Sequence, residues 1–320
     1  MKNTISHGSR LAGLLLAACG LAATASTATA AQPVGKIGGA QPVTCDRECL
    51  RSHVTQFLWA MVKHDASKLP VADNVRITED ADEKKSLKDV ELFRRVTKLQ
   101  GYRQDFIDER MGVAGAHTMV EESGAPVMLV VRLKVVDNKL TEVELVPTRS
   151  RADGLIFNLD GLKAPTAEMN YAPRADELAT REEVLKAALK YPEGFIKAET
   201  FAAVNAPFAP DAFRLENGQM MAGPQCTFSP DCKNISTQSL AIFKRLGPPI
   251  WRVLAIDERM GIAWLRLAWG AQREGGDQLT VFEAFKFHGG QLHAVEAFMR
   301  ILPIEKRKGG WETGVAPSGP

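Results

Sequence analysis

The five-residue sequence DERMG occurs twice in this chain, at residues 108–112 and again at 257–261. The flanking residues show the same order of predicted elements in both places. Helical patterns come first, and four strand-like segments that alternate or run apolar follow, separated by turn residues. A repeat of whole element orders indicates a duplicated unit. We call its two occurrences the first copy (residues 45–149) and the second copy (residues 181–303).

Alignment of the two pentamers pairs Tyr102 with Trp251 and His117 with Arg266. The spacing between the copies grows by the last strand, where Glu144 pairs with Glu296. A small insertion in the hairpin around residues 273–277 explains the change, since loops tolerate added length. The sequence therefore predicts the same strand order in both copies.

Charge and hydropathy exclude two classes of partner. Lys2 and Arg10 fall in the leader, so the rest of the chain carries 38 of the 40 basic residues and all 38 acidic residues. This neutral balance gives no basic surface for nucleic acid, and we expect no nucleic-acid partner. After the leader, no run approaches the roughly 20 apolar residues that span a bilayer, so we expect no transmembrane segment.

Residues 1–30 predict a secretory signal peptide. They combine a basic start, an apolar core and small residues ending in Ala28-Thr29-Ala30. The sequence Leu16-Ala17-Ala18-Cys19 also resembles a bacterial lipobox, which would make Cys19 a lipid-anchored first residue. Two alternatives stay open: soluble export to the periplasm or medium, and a lipoprotein anchored through Cys19.

Four cysteines follow the leader, in two closely spaced pairs: Cys45 with Cys49, and Cys226 with Cys232. An even count in an exported chain predicts disulfides, and the short spacings favour local bridges. Four thiols could also bind zinc. The spacings differ from the CxxC kind, so we expect disulfides and no metal site.

Two segments lie outside the copies. Residues 150–180 have an irregular pattern and are interpreted as a connector. Residues 304–320 are rich in glycine, proline and charge, so we expect a disordered tail.

Helices followed by a curved antiparallel meander resemble the cone-shaped α+β fold of the nuclear transport factor 2-like superfamily. That superfamily includes ketosteroid isomerase, scytalone dehydratase and the SnoaL-type polyketide cyclases. Five segments of the first copy carry a closer similarity: Cys45 to Leu50, His64 to Pro70, Asn74 to Glu79, Leu133 to Val135 and Thr141 to Glu144. Through them the first copy resembles, within the superfamily, an uncharacterised family of exported fungal and bacterial proteins.

The resemblance implies two tandem cone-shaped domains, each with N-terminal helices packed on a curved antiparallel sheet. Many single-domain relatives form dimers, so a monomer with an internal pseudo-dimer is expected. Each cone implies a pocket between sheet and helices. Catalysis there is cofactor-independent: a carboxylate or histidine moves a proton while a polar donor stabilises the developing oxyanion.

Two carboxylates are candidate proton-transfer groups in the first copy. Glu79 follows the first strand, roughly where ketosteroid isomerase has its proton-shuttling carboxylate, although that residue is an aspartate and Asp80 or Asp82 could fill the role here. Asp108 heads the repeated pentamer and shares strand parity with Tyr102. Structural alternatives are a polar turn for Glu79 and a carboxylate bonded to its own backbone for Asp108.

His117 and Tyr102 complete the predicted catalytic set of the first copy, as donors to a developing oxyanion. His117 is the only histidine within a predicted central strand of that copy and titrates near neutral pH. A satisfied core or solvent-facing histidine is the alternative.

The predicted substrate-binding residues of the second copy are five: Glu216, Trp251, Trp264, Arg266 and Glu283. Glu216 corresponds to Glu79, and the two tryptophans would stack on a substrate. Arg266 suits an anion or enolate oxygen. Glu283 sits in an apolar stripe where the first copy has Val131, and burial there would raise its pKa. Glu144 and Glu296 we expect to face solvent.

No Gly-rich phosphate loop, nucleophile elbow or HExxH motif occurs in the sequence. The resemblance, together with the candidate residues, implies an exported lyase or isomerase, dehydratases included, that acts on a hydrophobic small molecule without a cofactor. One alternative is a non-catalytic binding protein for an apolar ligand. The other is a protein-interaction scaffold.

Overall fold

The computed structural model describes residues 45–270 and 276–311. The predicted signal peptide, Cys19 and residues 312–320 lie outside this part. Within it, no helix combines the length and the apolar character needed to cross a membrane.

The first copy begins with helix α1 (Arg47–Val62), capped by the Asp46 carboxylate, which accepts the Cys49 backbone N–H at 2.9 Å. A 3-10 turn (Leu87–Asp89) and a short helix α2 (Leu92–Arg95) interrupt the strands. Six strands form one sheet in the order β2-β1-β6-β5-β4-β3. Their bounds are β1 Val71–Glu79, β2 Asp82–Lys84, β3 Val96–Asp108, β4 Val113–Glu122, β5 Ala125–Val136 and β6 Lys139–Thr148.

The connector contains three single-turn elements: helix α3 (Arg151–Gly154), a 3-10 turn (Leu159–Leu162) and helix α4 (Ala167–Asn170). The second copy begins with helix α5 (Arg181–Lys197), which starts in a capping box made by Thr180 and Glu183.

The second sheet repeats the first, with strand order β8-β7-β12-β11-β10-β9. Its elements are a 3-10 turn Phe201–Val204, β7 Phe208–Glu216, β8 Gln219–Ala222, α6 Ala241–Lys244, β9 Ile250–Asp257, β10 Ile262–Gly270, β11 Asp277–His288 and β12 Gln291–Pro303. The predicted α+β fold of two tandem domains is thus confirmed. Both sheets are mixed rather than purely antiparallel, because β1 runs parallel to β6 and β7 runs parallel to β12.

Both faces of each sheet are buried. One face, which we call the cone face, packs against the helices of its own copy and forms an apolar core there. The other, which we call the interface face, packs against the other copy. The aromatic side chains of this shared core are Tyr102, Phe106, Trp264, Phe282 and Phe298.

The C-terminal segment is ordered further than the sequence suggested. A 3-10 turn (Ile304–Lys306) follows β12, and the chain continues to Trp311, whose side chain is buried. Burial of that indole holds a segment whose composition alone predicts disorder. The expectation of a disordered tail from residue 304 is therefore corrected for residues 304–311.

Candidate functional site

Asp108, the first residue of the repeated pentamer, joins the two copies. Its carboxylate accepts two hydrogen bonds from the Arg181 guanidinium, at 3.0 and 2.6 Å. It also accepts the backbone N–H of Ile256 at 2.9 Å and that of Met111 at 3.0 Å. Arg181 and Ile256 belong to the second copy, so this carboxylate bonds mainly across the interface.

Asp257 makes the reciprocal contacts. It accepts two hydrogen bonds from Arg47, at 2.7 and 2.9 Å, and the backbone N–H of Ile107 at 3.1 Å. Arg47 and Arg181 are the first residues of α1 and α5. We call Arg47, Asp108, Arg181 and Asp257 the arginine–aspartate clamp.

The glutamate and arginine of the pentamer also contact the other copy. Arg110 pairs with Glu258 and Arg259 pairs with Glu109, each at 2.8 Å across the interface. Gly112 and Gly261 have positive φ angles of 58° and 60°. A Cβ atom there would lie 2.4 and 2.1 Å from a backbone oxygen of the neighbouring strand, which explains the glycines. The aspartate, glutamate and arginine of the repeat thus form an interface motif, in which Asp108 lies between the two copies.

His117 is fully buried on the interface face of β4. Its Nε2 accepts a hydrogen bond from the Trp264 indole N–H at 3.1 Å, and its Nδ1 lies 3.1 Å from Glu296 Oε1. The proton is therefore assigned to Nδ1, which donates to Glu296. Burial lowers the pKa of His117, although Glu296 opposes this effect. The imidazole is neutral at pH 7 and links the two copies.

Tyr102 completes this aromatic network. Its hydroxyl lies toward Glu296 but has no hydrogen-bond partner in good geometry within the described part of the chain. Burial and the Glu296 charge raise the pKa of Tyr102 well above its usual value. The structure thus brings His117, Tyr102 and Trp264 together, but between the sheets and not inside a cone.

Trp264 packs directly onto Gly115, where a Cβ atom would lie 2.2 Å from the indole Cζ3. The two residues occupy equivalent positions, because each lies two residues after the start of the strand that pairs back to its clamp aspartate. Residues that are equivalent in the two copies can touch only beside the pseudo-two-fold axis that relates the copies. Because one of these two residues is glycine and the other is tryptophan, the pseudo-symmetry is broken at this axis.

Glu79 is buried at the end of β1. Its two carboxylate oxygens accept the backbone N–H groups of Glu91 at 2.8 Å and Leu92 at 3.0 Å, and Lys84 lies 3.7 Å away. These contacts hold the start of α2, since the first N–H groups of a helix lack internal acceptors.

The corresponding region of the second copy contains a set of linked polar side chains on the cone face. Arg214 on β7 donates to the Tyr191 hydroxyl at 3.1 Å and to Gln238 Oε1 at 2.9 Å. Its Nε lies 2.8 Å from Glu216 Oε1. We call Tyr191, Arg214, Glu216, Gln238 and Glu283 the second-copy polar cluster.

Glu283 on β11 is the least paired member. It lies in register with Ala297, which in turn lies in register with Glu216, so the small alanine separates two carboxyl groups. Its side chain is 2% exposed, and Oε2 has no hydrogen-bond partner among the described residues. Burial, with the nearby Glu216 charge, raises the pKa of Glu283 to about 8, so this group is protonated at pH 7.

The first copy has no such cluster on its cone face. Strand register places Ile77 where the second copy has Arg214, Val131 where it has Glu283, and Leu145 where it has Ala297. Phe57 lies ten residues after the first residue of α1, as Tyr191 does after the first residue of α5. Only Glu79 and Glu216 match in chemistry.

Aromatic rings surround the second-copy polar cluster. The Tyr191 ring centroid lies 4.5 Å from that of Phe201 and 4.9 Å from that of Phe285. Gln238 comes from the segment of residues 223–249, which also contains the Cys226–Cys232 disulfide. Both predicted disulfides are present, the other being Cys45–Cys49 beside the start of α1.

The structure places the other sequence-predicted residues away from this cluster. Trp251 is 37% exposed on edge strand β9. Arg266 lies on the interface face and donates to the carbonyl oxygen of Arg307 at 2.8 Å. The expectation that Glu144 and Glu296 face solvent is wrong: both are buried, because each last strand packs its outer face against the other copy.

One group of three residues has the side-chain types that bind metal ions, but its two histidine rings are not oriented to bind the same ion. Glu168, His288 and His293 approach one another closely enough to share an ion. The two imidazole rings stack in parallel, with centroids 3.8 Å apart and planes 2° apart. A metal lies near the plane of each histidine that binds it, so one ion cannot serve both stacked rings. Cys45 and Cys49 lie beside His53, but their sulfurs are joined to each other.

A groove of about 830 Å³ opens on the first copy, between the end of α1 and β1. Val71, Ile77, Leu87 and Phe93 form its apolar part. It contains none of the predicted catalytic residues. The second-copy polar cluster, and not the groove, holds the buried unpaired acid that proton-transfer chemistry needs.

Sequence reasoning missed Tyr191, Arg214 and Gln238. Glu283 was found because a carboxylate interrupts an apolar stripe, whereas Arg214 offers no such signal, since its same-face neighbours on β7 are Ala212 and Glu216. Tyr191 and Gln238 come from a helix and a loop, so no pattern along one strand reveals them.

Comparison with known protein families gives one match. A family model described as "Domain of unknown function (DUF8021)" matches residues 177–299. The match covers the second copy, whereas the resemblance drawn from sequence was carried mainly by the first. A comparison with curated proteins finds no match.

Proposed function

We propose that the second copy carries the active site of an exported, cofactor-independent lyase or isomerase for a hydrophobic small molecule. One observation carries the proposal. Glu283 is buried beside Glu216, its pKa is raised to about 8, and its Oε2 has no partner among the described residues. A carboxyl group that stays protonated at neutral pH can donate a hydrogen bond or a proton to a substrate oxygen.

The cluster supplies both a general base and a general acid for proton transfer. Glu216, held by Arg214, acts as the carboxylate that removes a proton from carbon next to a carbonyl group. Glu283 donates to the carbonyl oxygen as negative charge develops there. In an isomerisation the proton returns to another carbon. In a dehydration Glu283 protonates the leaving hydroxyl group, and water departs as the carbon–carbon double bond forms.

The surroundings indicate an apolar substrate. Aromatic rings line the cluster, and the segment of residues 223–249 that closes it exposes Phe228 and Ile242 to solvent. Gln238 connects this segment directly to Arg214. Movement of the segment would therefore open the cluster to a substrate. The resemblance to nuclear transport factor 2-like enzymes supports cofactor-independent chemistry at this place in a cone.

A second candidate function is ligand binding without catalysis. The groove on the first copy favours it, because a volume of about 830 Å³ with apolar walls accommodates a small organic ligand. Lys85, Lys88 and Arg94 at its rim would attract an acidic group on that ligand.

The proposal is tested with the chain lacking residues 1–30 and a panel of small aromatic and polyketide-like compounds. Native mass spectrometry and thermal shift identify compounds that bind, and product analysis detects conversion. We expect conversion by the wild type and at least a hundred-fold loss in Glu283→Gln, on the order of general acid catalysis.

Glu79→Gln is the matched control, because Glu79 holds the position of Glu216 in the first copy. It should keep the activity of the wild type. Loss in Glu79→Gln with activity kept in Glu283→Gln would assign catalysis to the first copy instead. Binding without conversion would leave the ligand-binding function.

A further inference from the structure

A separate buried polar region lies where the C-terminal segment crosses from one copy to the other. Three guanidinium groups surround the indole of Trp311. The Cζ atom of Arg76 lies 4.3 Å from the ring centroid, and those of Arg132 and Arg252 each lie 5.5 Å away. We call these four residues the arginine–tryptophan site. Arg76 and Arg132 belong to the first copy and Arg252 to the second.

Several N–H donors of the site have no acceptor within the described part of the chain. Arg132 is fully buried, yet its Nε and Nη2 groups have no hydrogen-bond partner among residues 45–270 and 276–311. Arg252 Nε and Trp311 Nε1 are also buried and unpaired within that part of the chain. Native proteins pair nearly all buried donors with protein groups, ordered water or ligands, so four such groups around one ring favour a bound group that supplies acceptors.

Positive charge exceeds negative charge in this region. Glu142 accepts one hydrogen bond from Arg132 at 2.8 Å, and Glu144 accepts from Arg252 at 2.5 Å. Arg76 contributes a third guanidinium, and its only carboxylate contact in the described chain is with the exposed Glu83 at 3.9 Å.

Arg266 adds a further buried positive charge from the second copy. Burial and the proximity of Arg252 lower the pKa of Arg266 to about 9. Burial also lowers the pKa of Arg252; Glu144 opposes this change, and the neighbouring Arg132 adds to it. Two carboxylates therefore do not neutralise the arginines that face them.

We propose that the arginine–tryptophan site binds a small oxyanion between the guanidinium groups of Arg132 and Arg252. The ligand is inorganic phosphate or sulfate, or the carboxylate of a small organic acid. Guanidinium groups match these anions because their paired N–H groups fit two oxygens at once. The bound anion contacts both copies and the C-terminal segment, and it lies outside the second-copy polar cluster.

The test titrates the chain lacking residues 1–30 with sodium phosphate, sodium sulfate and sodium acetate, with sodium chloride keeping the ionic strength constant. The chain has five tryptophans, so the part of the fluorescence response that Trp311→Phe removes reports on Trp311, and the melting temperature reports on binding to the folded state. We expect a saturable response to at least one oxyanion that chloride does not give. Saturation by phosphate or sulfate alone assigns an inorganic ligand, and saturation by acetate alone assigns a carboxylate.

Three variants decide where the anion binds. Arg132→Gln should weaken binding by about ten-fold or more, because it removes charged donors. Arg110→Gln is the matched control, since Arg110 pairs across the interface at an exposed position and should leave affinity unchanged. Trp311→Phe keeps the guanidinium groups, so the melting-temperature response should remain while the fluorescence response disappears.

Equal responses to chloride and the oxyanions would overturn the proposal. So would full affinity in Arg132→Gln. If Arg132→Gln fails to fold, Trp311→Phe still decides the matter, because an undiminished fluorescence response in that variant would place the anion elsewhere.

Discussion

The two copies share a scaffold and differ in what it encloses. In each copy the first residue of the first helix is an arginine, and its guanidinium group binds the clamp aspartate of the other copy. The cone of the second copy contains Tyr191, Arg214 and Glu283. The equivalent positions of the first copy hold the apolar residues Phe57, Ile77 and Val131. The arginine–aspartate clamp that joins the copies is symmetric, whereas the interior chemistry lies on one side. The pairing and the proposed activity are therefore separate properties of the duplicated unit.

The largest expected effect tests whether the clamp is symmetric. Asp108→Ala and Asp257→Ala each leave a mostly buried guanidinium without its partner, so each should lower the free energy of unfolding by about 3–5 kcal/mol. Urea denaturation measures both. A large effect from one substitution and a negligible effect from the other would break the equivalence of the two halves.

The pH dependence of stability should separate the two interiors. The folded protein keeps the Glu283 proton up to about pH 8, whereas the unfolded chain releases it near the ordinary value of 4.5. Unfolding between these values releases a proton, so the free energy of unfolding should fall as pH rises through this window, by a few kcal/mol. Urea denaturation at pH 5 and pH 8 should show this fall in the wild type and a smaller one in Glu283→Gln. An unchanged slope in the variant would remove Glu283 as the source.

A smaller effect is expected at the centre of the interface. Gly115→Ala places a methyl group against the Trp264 ring and should destabilise the protein by about 1–3 kcal/mol. Trp264→Phe in the same chain should recover part of the loss. Gly101→Ala is the matched control, since its nearest neighbour lies at an ordinary distance of 3.6 Å. Equal melting temperatures for the two alanine variants would contradict the close fit.

The smallest effect concerns the outer pairs of the repeated pentamer. Arg110→Gln and Arg259→Gln remove exposed ion pairs, each expected to contribute about 0–1 kcal/mol. Thermal unfolding at low and high salt measures them. A loss as large as that of the clamp variants would mean that the outer pairs hold the copies together as strongly as the buried carboxylates do.

The duplication, the matching order of elements along the two copies and both disulfides could be predicted from sequence, because each leaves a local pattern. The sequence does not predict which face of each strand points into the cone and which points to the other copy. Alternation placed Asp108, His117 and Tyr102 on buried faces, but both faces of these sheets are buried, so parity does not tell a cone from an interface. Contacts such as Trp264 with His117 join residues 147 positions apart and depend on how the copies pack.

Glu283 shows which site residues a sequence can reveal. A carboxylate within an apolar stripe is visible along one strand, and its raised pKa follows from burial. Arg47 and Arg181 were missed because a basic residue at a helix start has many ordinary explanations. Their importance depends on partners 210 and 73 positions away.

The contact of Gly115 with Trp264 also bears on how such a chain can be made and inherited. Two copies of the first unit would bring glycine against glycine and leave a hole, and two copies of the second would force tryptophan against tryptophan. Each unit therefore fits the other better through this face than it would fit a second copy of itself. A single chain supplies the two unlike halves in equal number.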